Sequence, residues 1–308
     1  MDRSEQRFML SQCKQNVNQK QLCSFTAFTT IRLQVDWTHH LSSHESGRYL
    51  REVTNVPQAL PFDDPQAFLD GQVMVVNKPL TWTSFDVVNK LRYGLRGLTG
   101  KKKIKVGHAG TLDPLATGVL VVCCGKATKT IDALQAQSKK YTATIRLGAH
   151  TPSLDAETEV DAWASDPQKV RQLNREDVQA AIQQFVGELS QRPPMYSAKK
   201  VEGVKAYDAA RKGQTVALRL AKVHVHAFEI VDLKHREVQS HPVLDVQVRI
   251  HCSKGTYIRS LARDLGEVLQ VGGTLTALCR VSSGAHHIDQ AWTVDALVER
   301  IQAASPSS

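Results

Sequence analysis

From Gly71 onward, strand-like and helix-like segments follow one another without regular alternation, and that order constrains the fold most tightly. Gln72–Asn77 is a short β-rich run. Thr83, with Asp86 three residues later, reads as a capping box that opens a helix whose Phe85, Val88 and Leu91 share a face. Val119–Cys124 is a continuous apolar run, as expected of a buried strand, and Lys140–Leu147 alternates like a half-buried one. Thr151–Asp161 is an acidic loop, and Asn174 caps a helix carrying Val178, Ile182 and Phe185. Val204–Lys212 reads as a short helix ended by Gly213, and Lys222–Leu233 and Val243–Cys252 as a strand pair. Thr256–Leu269 reads as a helix with Ile258, Leu261, Leu265 and Val268 inward, and Val294–Ile301 as a terminal helix. A parallel sheet needs repeated βαβ units, which are missing. The expected class is α+β, with a mixed, mostly antiparallel sheet flanked by helices.

Residues 1–70 read differently. They hold seven Lys/Arg and eight Asp/Glu, a net of −1, whereas residues 71–308 hold 32 and 22, a net of +10. The first segment shows no sustained period and ends in the turn-rich tract Pro57–Pro65, so it is expected to be a poorly ordered extension and linker. Residues 71–303 are expected to form the working domain. No apolar run exceeds the six residues Val119–Cys124, against about 20 needed to span a bilayer. No apolar h-region follows the charged N-terminus, and no Cys pair has C-x-x-C spacing. These features predict a soluble, cytoplasmic protein without membrane contact. The basic excess hints at a polyanionic partner.

Between the strand-like segments lies Gly107-His108-Ala109-Gly110-Thr111-Leu112-Asp113-Pro114-Leu115-Ala116-Thr117-Gly118. A glycine-bounded loop carrying His, Thr and Asp suits catalysis. Composition alone favours a plainer reading, in which Asp113-Pro114 simply starts a turn. Gly125-Lys126-Ala127 fails as a phosphate loop, because position 120 is Leu and position 127 is Ala. His224 and His226 read as surface residues of a strand, and His286-His287 has no acidic or Cys neighbour at ligand spacing. Arg259 falls in the first turn of its helix, where the dipole disfavours a cation unless a carboxylate compensates. An exposed Arg that tolerates the cost is the equal alternative.

Five motifs, in order, resemble those of the tRNA pseudouridine synthase B (TruB) family. They are the Gly107–Gly118 loop, Lys139-Lys140-Tyr141, Arg192–Lys200 running on to Gly213, Cys252–Arg259, and Leu278-Cys279-Arg280. The resemblance covers about residues 71–290. It implies isomerisation of uridine to pseudouridine at position 55 in the tRNA T-arm, with no metal or organic cofactor. It makes Asp113 the nucleophile, sets Tyr141 against the flipped base, and pairs Arg259 with the aspartate. His108 would help hold the RNA, Leu278 would wall the uracil pocket, and Asp155 would make an acidic contact to substrate. A nearby Arg favours an ionised Asp113 and lowers its pKa. Lys101, Lys102, Lys103 and Lys105, with Lys139 and Lys140, would track phosphates of the tRNA.

Two departures stand out. Family members usually start near the strand matching Gln72–Asn77, and many end in a small PUA-type RNA-binding domain, for which no room is expected here. The expected enzyme is a monomer. The rival readings are a catalytically silent RNA-binding or tRNA-folding homologue on the same fold, and an acyl hydrolase using Ser197 and Lys200. The second leaves the basic excess and the Asp113 loop unexplained.

Overall fold

The computed structural model describes residues 57–196, 200–201, 204–205 and 219–306. Helix α1 (Pro65–Gly71) leads into strand β1 (Gln72–Lys78), helix α2 (Ser84–Thr99) and strands β2 (Val106–His108) and β3 (Ala116–Cys124). Helix α3 (Ile131–Ala136) precedes β4 (Lys139–Leu147) and the short strands β5 (Ala149–His150) and β6 (Ala162–Trp163). Helices α4 (Pro167–Gln172) and α5 (Arg175–Gln183) come next, then β7 (Gly187–Gln191) and the paired β8 (Lys200–Val201) and β9 (Val204–Lys205). The chain continues through β10 (Ala221–Val238), β11 (His241–Cys252), α6 (Ile258–Val268), β12 (Gly273–Ser283), β13 (His286–His287), β14 (Trp292–Thr293) and α7 (Val294–Ala303).

One sheet runs in the order β14-β1-β3-β12-β4-β11-β10-β7, with β2 and β13 added beside β3 and β12. β14 on β1 and β12 on β3 are parallel, and the other pairs in this sheet are antiparallel. This is the expected mixed α+β architecture. Two apolar cores cover its two halves. Helices α4, α5 and α6 pack on β4, β10, β11 and β12. Helices α1, α2 and α7 pack on β1 and β3. Val75, Val119 and Val121 are buried on the opposite face of β1 and β3. Burial on both faces is why Val119–Cys124 reads as an unbroken apolar run. No helix among the described residues is long and apolar enough to cross a membrane.

The capping boxes hold. Asp86 accepts from the Thr83 backbone, and the Thr83 side chain accepts from Asp86. Asn174 and Asp177 do the same for α5. Several expectations need correction. Phe85 is 60 % exposed, because it stands about 120° around α2 from Leu91 at 100° per residue. Val268 is exposed because α6 ends there, and the returning chain buries Leu269 and Val271 instead. Val204–Lys205 is strand, not helix, and residues 206–212 lie outside the described residues.

The expected linker before residue 70 is corrected for residues 57–70. Asp64 caps α1 with Pro65 in its first turn, so part of the Pro- and Asp-rich tract is a helix start. Phe68 is fully buried, and Phe62 packs edge-on against Trp292 at 5.8 Å. The Gln58 side chain donates to Val73 O at 2.9 Å and accepts from Val75 N at 3.1 Å. Residues 1–56 lie outside the described residues.

Candidate active site

A pocket of about 360 Å³ opens where β4 and β12 meet the start of α6, and Asp113, Tyr141, Arg259, Leu278 and Arg280 line it. Register brings these residues together. On β12, Leu278 lies opposite Ala116 of β3 and Ala143 of β4, and Arg280 lies opposite Gly118 and Tyr141. Gly118 has φ +99°, and a Cβ there would lie 2.3 Å from the Arg280 carbonyl oxygen. Only glycine lets the two strands approach this closely.

The loop before β3 is held at its backbone. The Ser84 hydroxyl accepts from Leu112 N at 2.8 Å and donates to Leu112 O at 3.1 Å. Pro114 O accepts from Thr81 N at 2.9 Å and from the Lys78 ammonium at 3.2 Å. That ammonium is fully buried and also donates to Pro79 O at 2.8 Å and Trp82 O at 2.6 Å. Burial lowers the Lys78 pKa to about 8. Both neighbours of Asp113 are therefore pinned, which fixes where its carboxylate points.

Arg259 is the second residue of α6 and is buried. Its Nη2 lies 3.0 Å from Asp113 Oδ2, and its Nη1 lies 3.5 Å from Asp155 Oδ2. The same two nitrogens donate to Ser153 O at 2.9 Å and Tyr196 O at 2.8 Å. Two carboxylates thus supply the compensation that a cation at a helix start requires. Asp113 keeps 38 % of its side-chain surface open, but to a walled hollow rather than bulk water. Burial pushes its carboxyl above the ordinary range, Arg259 opposes this, and Asp155 and Glu157 add to it. Arg259 acts in the expected direction, and desolvation outweighs it.

The other expected residues are placed as follows. Tyr141 is buried, and that burial raises its phenol pKa. Asp155 stands behind Arg259, in a small cavity beside the main pocket, and its Oδ1 accepts from Glu157 N at 3.0 Å. His108 lies on β2 and not on the pocket wall; its Nδ1 is buried with no hydrogen-bond partner among the described residues. Burial lowers its pKa. Lys139 lines the pocket, but its ammonium is buried against Gln135 O at 2.5 Å and Gln137 O at 2.6 Å. Burial lowers its pKa to about 8. That geometry locks the end of α3 and leaves Lys139 poorly placed to track a phosphate. Lys140 lies on the opposite face of β4 from Tyr141. Lys101 and Lys103 are exposed in the loop before β2, away from the pocket wall.

Sequence reasoning missed Lys78, Ser84 and the role of Arg280. Arg280 is 1 % exposed, and its guanidinium donates to Val119 O at 2.7 Å, Gly110 O at 3.0 Å and Thr111 O at 3.4 Å. It ties β3 to the loop before Asp113. The signal for Lys78 and Arg280 was a cation inside an otherwise strand-like, apolar segment. Among the described residues no three His, Cys, Asp or Glu side chains gather as a metal site.

The fold is that of a pseudouridine synthase. A crystal structure of a Cbf5–Nop10–Gar1 complex is 28 % identical with a TM-score of 0.54, covering 78 % of this chain and 56 % of that one. The chain spans about half the length of that structural relative. Residues 96–258 match the N-terminal domain of the TruB family pseudouridylate synthases. The tRNA pseudouridine synthase B of Phocaeicola vulgatus is 47 % identical over 232 residues, covering 75 % of this chain and 94 % of that protein. The Flavobacterium johnsoniae protein of the same name is 43 % identical over 239 residues, covering 77 % of this chain and 99 % of its own length. The chain belongs to the TruB family.

Proposed function

We propose that this chain isomerises uridine to pseudouridine in tRNA, at position 55 of the T-arm, with Asp113 as the nucleophile. The observation that carries this reading is the buried Arg259 guanidinium, 3.0 Å from Asp113 at the wall of a pocket that Tyr141 and Leu278 also line. The C1′–N1 bond breaks, the base turns, and a C1′–C5 bond forms; N1 gains a proton and C5 loses one. Asp113 acts either by attacking the nucleoside or by taking the C2′ proton. Both routes need it ionised, and Arg259 stabilises that form against the cost of burial.

A base inside a folded RNA loop must first be extruded, at a cost of a few kcal/mol. Stacking on an aromatic face returns about 1–3 kcal/mol. Tyr141 offers that face and Leu278 the apolar wall. Asp155 acts through Arg259 rather than on substrate, since it sits behind the guanidinium. The enzyme works as a cytoplasmic monomer, with neither metal nor organic cofactor. The test is to expose unmodified tRNA to the purified chain and map pseudouridine by position. Pseudouridine at position 55, lost in Asp113→Asn, is the expected result; an unmodified T-arm with wild-type protein overturns the reading.

A further inference from the structure

The solvent face of α2 is not used by the pocket, and its composition is unusual. Residues 84–105 carry Lys90, Arg92, Arg96, Lys101, Lys102, Lys103 and Lys105 against the single acid Asp86. That acid is spent at the helix start, accepting from Thr83 N at 2.8 Å and Thr83 Oγ1 at 2.6 Å. Two aromatic rings stand among the cations, Phe85 at 60 % and Tyr93 at 77 % exposure. Tyr93 is the most exposed large apolar side chain among the described residues.

The Phe85 ring is also braced. The Arg92 guanidinium lies 5.9 Å from the ring centroid, and it is fixed by donating to Asn89 Oδ1 at 2.6 Å and Val106 O at 3.0 Å. One face of Phe85 is therefore backed by a held cation while the residue remains largely exposed, a preorganised stacking surface. The helix starts at Ser84, whose hydroxyl is bonded to Leu112 next to Asp113. It extends about 24 Å from there at 1.5 Å per residue.

We propose that this helix face is a second RNA-docking surface, on which Phe85 and Tyr93 stack unpaired bases while Lys90, Arg96 and Lys101–Lys103 hold phosphates of the strand leaving the pocket. The inference rests on the reading of RNA as substrate and adds where the chain grips it beyond the reacting base. Rings interleaved with cations suit single-stranded nucleic acid, because every base has a π-face and every linkage a negative charge.

The test measures binding of an unmodified tRNA transcript to the full chain by fluorescence anisotropy across a salt series. Tyr93→Leu is expected to weaken binding about fivefold, the low end for loss of one stacked base, with the salt slope unchanged. Lys90→Gln with Arg96→Gln is expected to flatten the slope of log K against log salt by about 1.5, as for two lost phosphate contacts. Lys102→Gln with Lys103→Gln, outside the helix, repeats the ionic arm without touching helix stability. Unchanged affinity and slope in folded variants overturn the proposal and leave an acidic protein as the partner. Wild-type protein that binds tRNA but makes no pseudouridine defeats the catalytic reading alone, and the binding arms still decide this one.

Discussion

The side-chain amide of Gln191 hydrogen-bonds both backbone groups of Tyr257: Nε2 donates to Tyr257 O at 3.0 Å, and Oε1 accepts from Tyr257 N at 2.8 Å. Tyr257 is the N-cap of α6, two residues before Arg259, and Gln191 is buried. The end of β7 thus fixes the start of the helix that presents the guanidinium. Gln191→Ala takes away the acceptor of the Tyr257 N–H, at about 1–3 kcal/mol, while Tyr257 O keeps its bonds from Ser260 N and Leu261 N. It is expected to lower the melting temperature and the single-turnover rate. Gln191→Glu is expected to recover neither in full, because its carboxylate still accepts from Tyr257 N but brings a charge into a buried site and sets an oxygen against the Tyr257 carbonyl. A Glu variant as active as wild type contradicts this.

The pH dependence follows from the carboxylate pair. Asp113 must be ionised, and burial raises its pKa, so activity is expected to fall on acidification above the ordinary carboxylate range. The Asp155 charge pushes the Asp113 pKa up. Asp155→Asn removes that charge, so the acid limb is expected to move to lower pH while the plateau rate drops as Arg259 loses one of its anchors. A single-turnover pH profile reads both effects, and an upward shift refutes the assignment.

Lys78 gives an alkaline signature. Its folded pKa is about 8, below its ordinary 10.5. Between those values the unfolded chain binds the extra proton, so this residue's contribution makes stability rise with pH. Below about 8 both states are charged and the full cost of burying the ammonium is present. Denaturant unfolding of wild type and Lys78→Met at pH 7.5 and 10 is expected to show the difference moving in favour of wild type at the higher pH.

Thr81 holds φ +69° while exposed. A β-branched residue pays about 1–2 kcal/mol for that region, and glycine's own entropy cost is about 0.5–1 kcal/mol. Thr81→Gly keeps the N–H bond to Pro114 and is expected to stabilise by about 0.5–1 kcal/mol, read as a higher melting temperature.

Phe62→Ala is expected to destabilise by about 3 kcal/mol, as for a buried ring. A loss below about 0.5 kcal/mol, the range of surface substitutions, means that the segment before α1 is not part of the folded unit.

What the sequence displayed and what it hid divide along contact range. Thr83 and Asp86, or Asn174 and Asp177, interact three residues apart, so both helix starts were legible from local pattern. Val119–Cys124 announced double burial because both its faces are covered. Pro57–Pro65 misled because a helix cap and a linker use the same residues, and Phe62 is covered in part by residues far along the chain, Trp292 and Arg300. The pocket itself was the least visible. Asp113 looked like a turn until Arg259 was set beside it, and family motifs rather than periodicity made that pairing. Asp155 was expected on the substrate and stands behind the guanidinium, a distinction set by three-dimensional packing.

The position of β12 bears on how the protein is made. This late strand fills the gap between β3 and β4, which precede it by more than a hundred residues. During synthesis both walls leave the ribosome well before the piece that joins them, and such long-range pairing forms slowly. The half-made chain therefore has no floor under Asp113 and no Arg280 to anchor the loop before it. Until β12 is delivered, Asp113 and Tyr141 cannot be joined by Leu278 and Arg280 in one pocket.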